Sequence, residues 1–263
     1  MDGMLQNTGA LLFMAFLIAA LAAAQAAIAG PAPCAPLTHE GNAYIVCEAD
    51  LRRHSIHLFW KQPDGSPFGH LKALPRTLGQ PAQRLIFATN AGMFDPAFKP
   101  VGLYIEEGRT LVRANTKSGA GNFHLKPNGV FYVAGNKAGV LETGAYLKQQ
   151  LHPDMATQSG PMLVIQGRVH PLFIRANISL KPRIGVGVRD GHTVVFALSE
   201  GGVSFAAFAR LFRDNLNCSN ALFLDGGSVP SLYVPSVRPG NVFALGPMIA
   251  VFDKPSGVDR PER

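Results

Sequence analysis

Five stretches of this chain place polar side chains and glycines directly behind apolar runs, which is where loop-borne chemistry sits on a rigid scaffold. In Leu224-Asp225-Gly226-Gly227-Ser228 a carboxylate ends an apolar run. Consecutive N–H groups in the following turn can cup an anion, and Ser228 adds a hydroxyl. In Thr89-Asn90-Ala91-Gly92-Met93-Phe94-Asp95, Asn90 offers both a donor and an acceptor. Gly92 permits close backbone approach, and Asp95 is either a second carboxylate or a turn cap before Pro96. Thr157-Gln158-Ser159-Gly160-Pro161 presents an amide and a hydroxyl suited to sugar hydroxyls, or simply a turn. Gly121 and Asn122 lie in a glycine-rich run from Ser118 to His124, followed by Lys126-Pro127-Asn128-Gly129. That pair reads as an anion-holding loop or as a long turn. Arg183, after Lys181-Pro182, heads an apolar run; its planar fork suits a phosphate, with a surface ion pair as the alternative. Arg175 is a second candidate of the same kind.

Other chemistries leave no trace. There is no G-x-S-x-G, S-x-x-K, H-E-x-x-H, C-x-x-C or G-x-x-x-x-G-K. His54 and His57 stand three apart in a strand-like run and so face opposite sides. No metal-ligand spacing appears, and no obligatory cofactor is expected, though Asp95 and Asp225 could take a divalent cation. Basic residues are scattered, with only Arg52-Arg53 adjacent. This lacks the basic stripe and stacking aromatics of a nucleic-acid binder, so an anionic substrate or surface is the expected partner.

The elements that must position these residues are mostly short strands. Alternation or continuous apolar runs predict strands over Tyr44 to Glu48, Ile56 to Trp60, Leu85 to Thr89, Gly129 to Val133, Ala221 to Leu224 and Met248 to Phe252. Three hairpins are predicted: Leu103 to Glu106 with Thr110 to Arg113, Met162 to Ile165 with Arg168 to Val169, and Ile184 to Val188 with Thr193 to Ser199. Phe205, Phe208, Phe212 and Leu216 recur at helical spacing behind a capping Ser204, and Thr143 to Leu151 reads as a second helix. Hairpins exclude a fully parallel sheet. The fold expected is α+β, a single domain of twisted antiparallel or mixed sheets with one or two packed helices.

The 263 residues carry a net charge of +7, only 16% charged residues and 47% apolar ones, which excludes disorder. Part of the apolar content is an N-terminal run, Ala10 to Ala24, followed by Ala27-Ile28-Ala29. It reads as a secretory signal peptide cleaved after Ala29, or as an uncleaved anchor. The organisation expected is a leader over 1–29, N-terminal strands over 30–84, a core over 85–253 and a tail over 254–263. Cleavage would give a periplasmic or secreted chain of charge +8 without a stable membrane span. Cys34 and Cys47 could staple the start of the mature chain to its first strand, leaving Cys218 as a buried thiol; a Cys47–Cys218 pair is the alternative.

Taken in order, the five segments resemble the phosphodiester glycosidase family. Asn90-Ala91-Gly92-Met93-Phe94 matches its Asn-Gly-Gly-Phe-Phe segment, and Gln158 to Pro161 its Gln-Thr/Ser-Gly-Pro segment. Arg183-Ile184-Gly185-Val186-Gly187 matches its Arg-headed strand, and Leu224 to Ser228 its Leu-Asp-Gly-Gly-Gly-Ser segment, one glycine shorter. The resemblance runs from Leu85 to Phe252 and implies hydrolysis of a sugar-1-phosphodiester in an envelope or extracellular glycoconjugate. It gives Asp225 the role of base or nucleophile, and Arg183 with Gly226, Gly227 and Ser228 that of phosphate binding. Asn90 and Gln158 would hold sugar hydroxyls, Asp95 would be a reserve carboxylate, and Gly92, Phe94, Gly121, Asn122, Asn128, Ser159 and Gly160 would shape the substrate site. A non-catalytic protein that binds an anionic polysaccharide on the same scaffold is the alternative.

Overall fold

The computed structural model describes residues 32–174 and 179–255. The expected leader, Arg175 and the tail beyond residue 255 lie outside the described residues.

The chain opens with β1 (Cys34–His39), β2 (Asn42–Asp50) and β3 (His54–Phe59), then a short helix α1 (Leu74–Leu78). Next come β4 (Leu85–Asn90), β5 (Tyr104–Glu106), β6 (Arg109–Val112), β7 (Gly129–Ala134) and β8 (Lys137–Glu142). Helix α2 (Thr143–Lys148) leads to β9 (Met155–Ser159), β10 (Met162–Ile165), β11 (Arg168–Val169), β12 (Arg183–Arg189) and β13 (Thr193–Ser199). Helix α3 (Phe205–Arg210) precedes β14 (Asn220–Gly226), β15 (Leu232–Val234), β16 (Arg238–Pro239) and β17 (Met248–Asp253). Three sheets result, in the orders β1-β2-β13-β12-β14-β10-β11, β16-β15-β4-β17-β3 and β6-β5-β9-β7-β8. Every ladder described is antiparallel, so the fold is α+β as expected, without parallel pairs. No helix among the described residues is long and apolar enough to cross a membrane.

The hairpins form where the turn chemistry allows them. Glu107-Gly108, Gln166-Gly167 and Asp190-Gly191 all adopt positive φ at both positions, at 50° and 73°, 48° and 76°, and 51° and 75°. That is the two-residue turn whose twist matches antiparallel strands. A fourth such turn, Glu40-Gly41, joins β1 to β2 and lies outside the sequence-based expectation. So do strands β8, β9, β15 and β16. Gln158, Ser159 and Gly160 make β9 look like a turn because they are polar or small; all of Met155–Ser159 is nonetheless buried.

The middle of the largest sheet shows why β12 reads Ile-Gly-Val-Gly-Val. Ile184, Val186 and Val188 join the main core. Gly185 and Gly187 face the other way, where a Cβ would lie 3.1 Å from Phe208 Cε1 and 2.9 Å from Phe212 Cδ1 respectively. The glycines thus form a groove in which the phenylalanine face of α3 settles. Ser204 caps α3 by accepting from Ala207 N, and the helix continues as a π-turn over Leu211–Asn215. α2 ends at Lys148, short of the expected Leu151.

Cys34 pairs across the β1–β2 ladder with Cys47 and forms the disulfide, while Cys218 stays a buried free thiol. The bridge closes a separation of 13 residues. Replacing both cysteines with serine should lower the unfolding free energy by about 3 kcal/mol, read as a shift of the urea midpoint. Burial pushes the Cys218 thiol up to about 12, so a thiol reagent should label it only after unfolding.

Candidate active site

β14 runs through the largest sheet between β12 and β10 and delivers Asp225 at its end. A β-bulge lies in the β12–β14 ladder, where Ile184 faces Asp225 and Gly185 faces Phe223. Directly opposed residues share a sheet face, so the Asp225 side chain lies on the Ile184 face, over the main core. Its Oδ1 accepts from Gly226 N at 2.7 Å. Burial pushes the carboxyl up to about 6, and the Gly226 N–H pulls in the opposite direction. A carboxyl at that value exchanges protons near neutrality.

Each sheet contributes a fastening to the chain around Asp225. From the third sheet, Ser159 at the end of β9 donates its hydroxyl to Leu224 O at 2.7 Å. From the second sheet, Asn90 Oδ1 accepts from Ser231 N at 3.0 Å, and Thr89 Oγ1 donates to Ser231 O at 2.7 Å. From the largest sheet, Pro182 O accepts from Gly227 N at 3.1 Å. Asn90 is 1% exposed. Ser159 and Asn90 thus hold the chain on either side of Asp225, at Leu224 and at Ser231. Thr89 and Ser231 carry no signal in the sequence beyond being polar next to a strand end.

Gln158 also departs from expectation. Its Oε1 accepts from Leu103 N and Asn115 N, both at 2.9 Å. Its Nε2 donates to Asn115 O at 2.8 Å and Thr143 Oγ1 at 3.2 Å. A carboxamide has two donor hydrogens and two acceptor lone pairs, and all four are used inside the protein. Thr143 passes the connection to Asn128 Oδ1 at 2.8 Å, and Asn128 Nδ2 donates to Phe123 O at 3.0 Å. Asn128 and Gln158 belong to a buried structural network rather than to an open sugar site. Gly92 and Gly160 are needed for close packing: a Cβ on Gly92 would lie 2.7 Å from Thr157 Oγ1, and one on Gly160 2.7 Å from Asn128 Cβ.

Arg183 lies on the other side of the sheet. It faces Gly226 in the ladder, and its neighbour Ile184 faces Asp225. Consecutive strand residues point to opposite faces. The guanidinium, 2% exposed, sits 3.5 Å over the Phe205 ring. Phe205 stacks on Phe173 and Phe173 on His170, at 4.9 and 4.7 Å between centroids. Nε donates to Val203 O and Nη2 to Ser179 O, at 2.8 and 2.9 Å. No carboxylate pairs with it among the described residues, and burial pulls it down to about 10, still charged at neutral pH. Arg183 is neither a surface ion pair nor placed against Asp225; it ties β12 to the 200–203 loop.

The glycine turn is partly committed as well. Gly226 N serves Asp225 and Gly227 N serves Pro182, which leaves the Ser228 N–H and its exposed hydroxyl for a ligand. Asp95 caps a turn, accepting from Ala97 N and Lys99 N at 2.9 and 3.0 Å. Phe94 stacks on Phe98 at 5.9 Å between centroids. Gly121 has φ +84° and open space around it, and Asn122 starts a short 3-10 turn at the surface. Among the described residues no group of three or more His, Cys, Asp or Glu is placed to hold a metal.

The profile of the phosphodiester glycosidase family matches residues 83–261, which covers Asp225 and every segment that fastens it. The chain belongs to the phosphodiester glycosidase family. An uncharacterised Escherichia coli protein, YigE, is 38% identical over 171 residues, 65% of this chain and 66% of that protein. Among solved structures, the catalytic domain of zebrafish N-acetylglucosamine-1-phosphodiester α-N-acetylglucosaminidase, auto-inhibited by its pro-peptide, superposes with a TM-score of 0.58 at 14% identity. It covers 86% of this chain and 85% of that one. A protein of Burkholderia pseudomallei gives 0.50 at 12% identity, covering 80% and 74%. At these identities the structures share the fold alone with this chain.

Proposed function

We propose that the protein is exported and hydrolyses the bond between an anomeric carbon and a phosphodiester oxygen in an envelope or extracellular glycoconjugate. Family membership supports the reaction class. The observation that carries the site is Asp225: a carboxyl raised by burial, at the end of a central strand, on a turn fastened from all three sheets. A glycosyl phosphate is a good leaving group, so the site chiefly needs a base or nucleophile and stabilisation of charge. Ionised Asp225 takes a proton from water as its oxygen bonds to the anomeric carbon. The carbon–oxygen bond breaks, and its electron pair leaves with the phosphate monoester. Ser228 offers its N–H and hydroxyl to that phosphate, with exposed Lys181 beside the same turn through Pro182.

Incubating the purified protein with N-acetylglucosamine-1-phosphate diesters and measuring free sugar tests this reading. Asp95→Asn should keep at least about half the wild-type rate, since its carboxylate only caps a turn whose two N–H groups an Asn side chain also satisfies. Diester binding without sugar release at any pH would instead make the protein a receptor for anionic glycans.

A further inference from the structure

The two stretches that flank the Asp225 turn carry apolar side chains into solvent. Val237 is 81% exposed at the tip of the β15–β16 hairpin, Val242 and Phe243 just beyond it are 85% and 61% exposed, and Leu180 is 59% exposed. They border one surface. Arg238 bridges to Glu200 at 2.9 Å, which sets the hairpin tip beside the 200–203 loop. Gly202 in that loop packs on Leu180, and Lys181 bridges Val203. Pro182 accepts from Gly227, so this surface adjoins the catalytic turn.

Its charge is one-sided. Ser66 to Phe94 and Gly226 to Phe252 contain no Asp or Glu. Lys181 is exposed there, and so are Lys72 and Arg76 next to Leu71, whose N–H donates to Asn241 Oδ1 at 2.8 Å. Glu200, in the 200–203 loop at this rim, is taken up by Arg238. Isolated exposed apolar residues are ordinary. Protruding apolar tips set among bases, with Glu200 neutralised by Arg238, match the headgroup and acyl layers of an anionic bilayer.

We propose that this rim docks on an anionic lipid surface, so that the phosphodiester cleaved is one whose aglycone is a lipid. The inference rests on the proposed hydrolysis and names its substrate class: the sugar enters toward Asp225, the phosphate meets Ser228, and the lipid chain stays in the bilayer beneath Val237, Val242 and Phe243.

Cosedimentation with phosphatidylcholine vesicles, with and without 30% phosphatidylglycerol, tests it, using the protein as the cell exports it. Binding should appear on the anionic vesicles and weaken by at least about tenfold in Val242→Ser/Phe243→Ser. Lys181→Gln should weaken it about fivefold, and more at low salt than at high salt. Leu147→Ser, at an exposed apolar site on α2, should change nothing, and any leader contributes equally to all variants. Release of sugar from a soluble diester, unchanged in Val242→Ser/Phe243→Ser and Leu147→Ser, shows that these are folded, and an unchanged urea midpoint shows it for Lys181→Gln. Equal binding to both vesicles, or binding indifferent to the rim variants, overturns the proposal. So does a doubling of mass in solution that Val242→Ser/Phe243→Ser abolishes, since a second copy would then be the occupant. Rim-dependent vesicle binding by a protein that releases no sugar would leave the docking standing and remove the hydrolytic reading.

Discussion

Asp225→Asn should lower turnover on a sugar-1-phosphodiester by about 10^3-fold or more and at the same time make the protein harder to unfold at neutral pH. Both effects come from the same burial. In the folded chain the carboxyl titrates at about 6; in an unfolded chain it titrates at about 4. Between these values the folded state binds more protons than the unfolded one, so stability falls as pH rises through that window and is level above it. At pH 7.5 the wild type carries the cost of an ionised, half-desolvated carboxylate and Asn does not. The gain is on the order of 1–3 kcal/mol, or about 2–12 °C in melting temperature for a domain of this size. The gain should vanish below about pH 4, where Asp225 is neutral in both states. Because the proposed step uses the ionised form, the wild-type rate should fall away as pH drops below about 6. Melting curves and rates taken across pH 4 to 8 check each part. An Asn variant that is active, or less stable than wild type at pH 7.5, would remove Asp225 from the chemistry.

Gln158→Ala should be the most damaging single change to the fold. It strips partners from Leu103 N, Asn115 N, Asn115 O and Thr143 Oγ1 at once. Each buried group left unpaired costs about 1–3 kcal/mol; water entering the vacated space recovers part of this, so a loss of about 3–5 kcal/mol is expected. Urea unfolding reads it directly. If Gln158 served the sugar instead, the variant would raise KM and leave the unfolding midpoint in place. A protein made at wild-type levels with an unchanged midpoint would therefore contradict the structural role.

Much of this architecture is legible from spacing. The three Gly-containing hairpin turns, the Ser204 cap and the apolar runs of β4, β12, β14 and β17 each answer to a local rule, and local rules act within a few residues. Asp225 is legible for the same reason, as a carboxylate at the end of a buried run. What escapes is the use of polar side chains across long separations. Gln158, Asn90 and Ser159 look like ligand-binding residues because nothing nearby in sequence satisfies them. Their partners, Asn115, Ser231 and Leu224, lie 43, 141 and 65 residues away. Arg183 misleads through its orientation: its place at the head of β12 is plain, but only the register with β14, bulge included, decides which face it takes.

The fastening of the Asp225 turn has a consequence in time. One of its clasps comes from Asn90 and Thr89 on β4, and β4 is flanked in its sheet by β15 and by β17, the last of the described strands. The β17 side of the frame that holds this clasp therefore exists only once Asp253 has been made. A nascent chain, or one threaded unfolded through a membrane, thus carries Asp225 without the complete surroundings that raise its carboxyl.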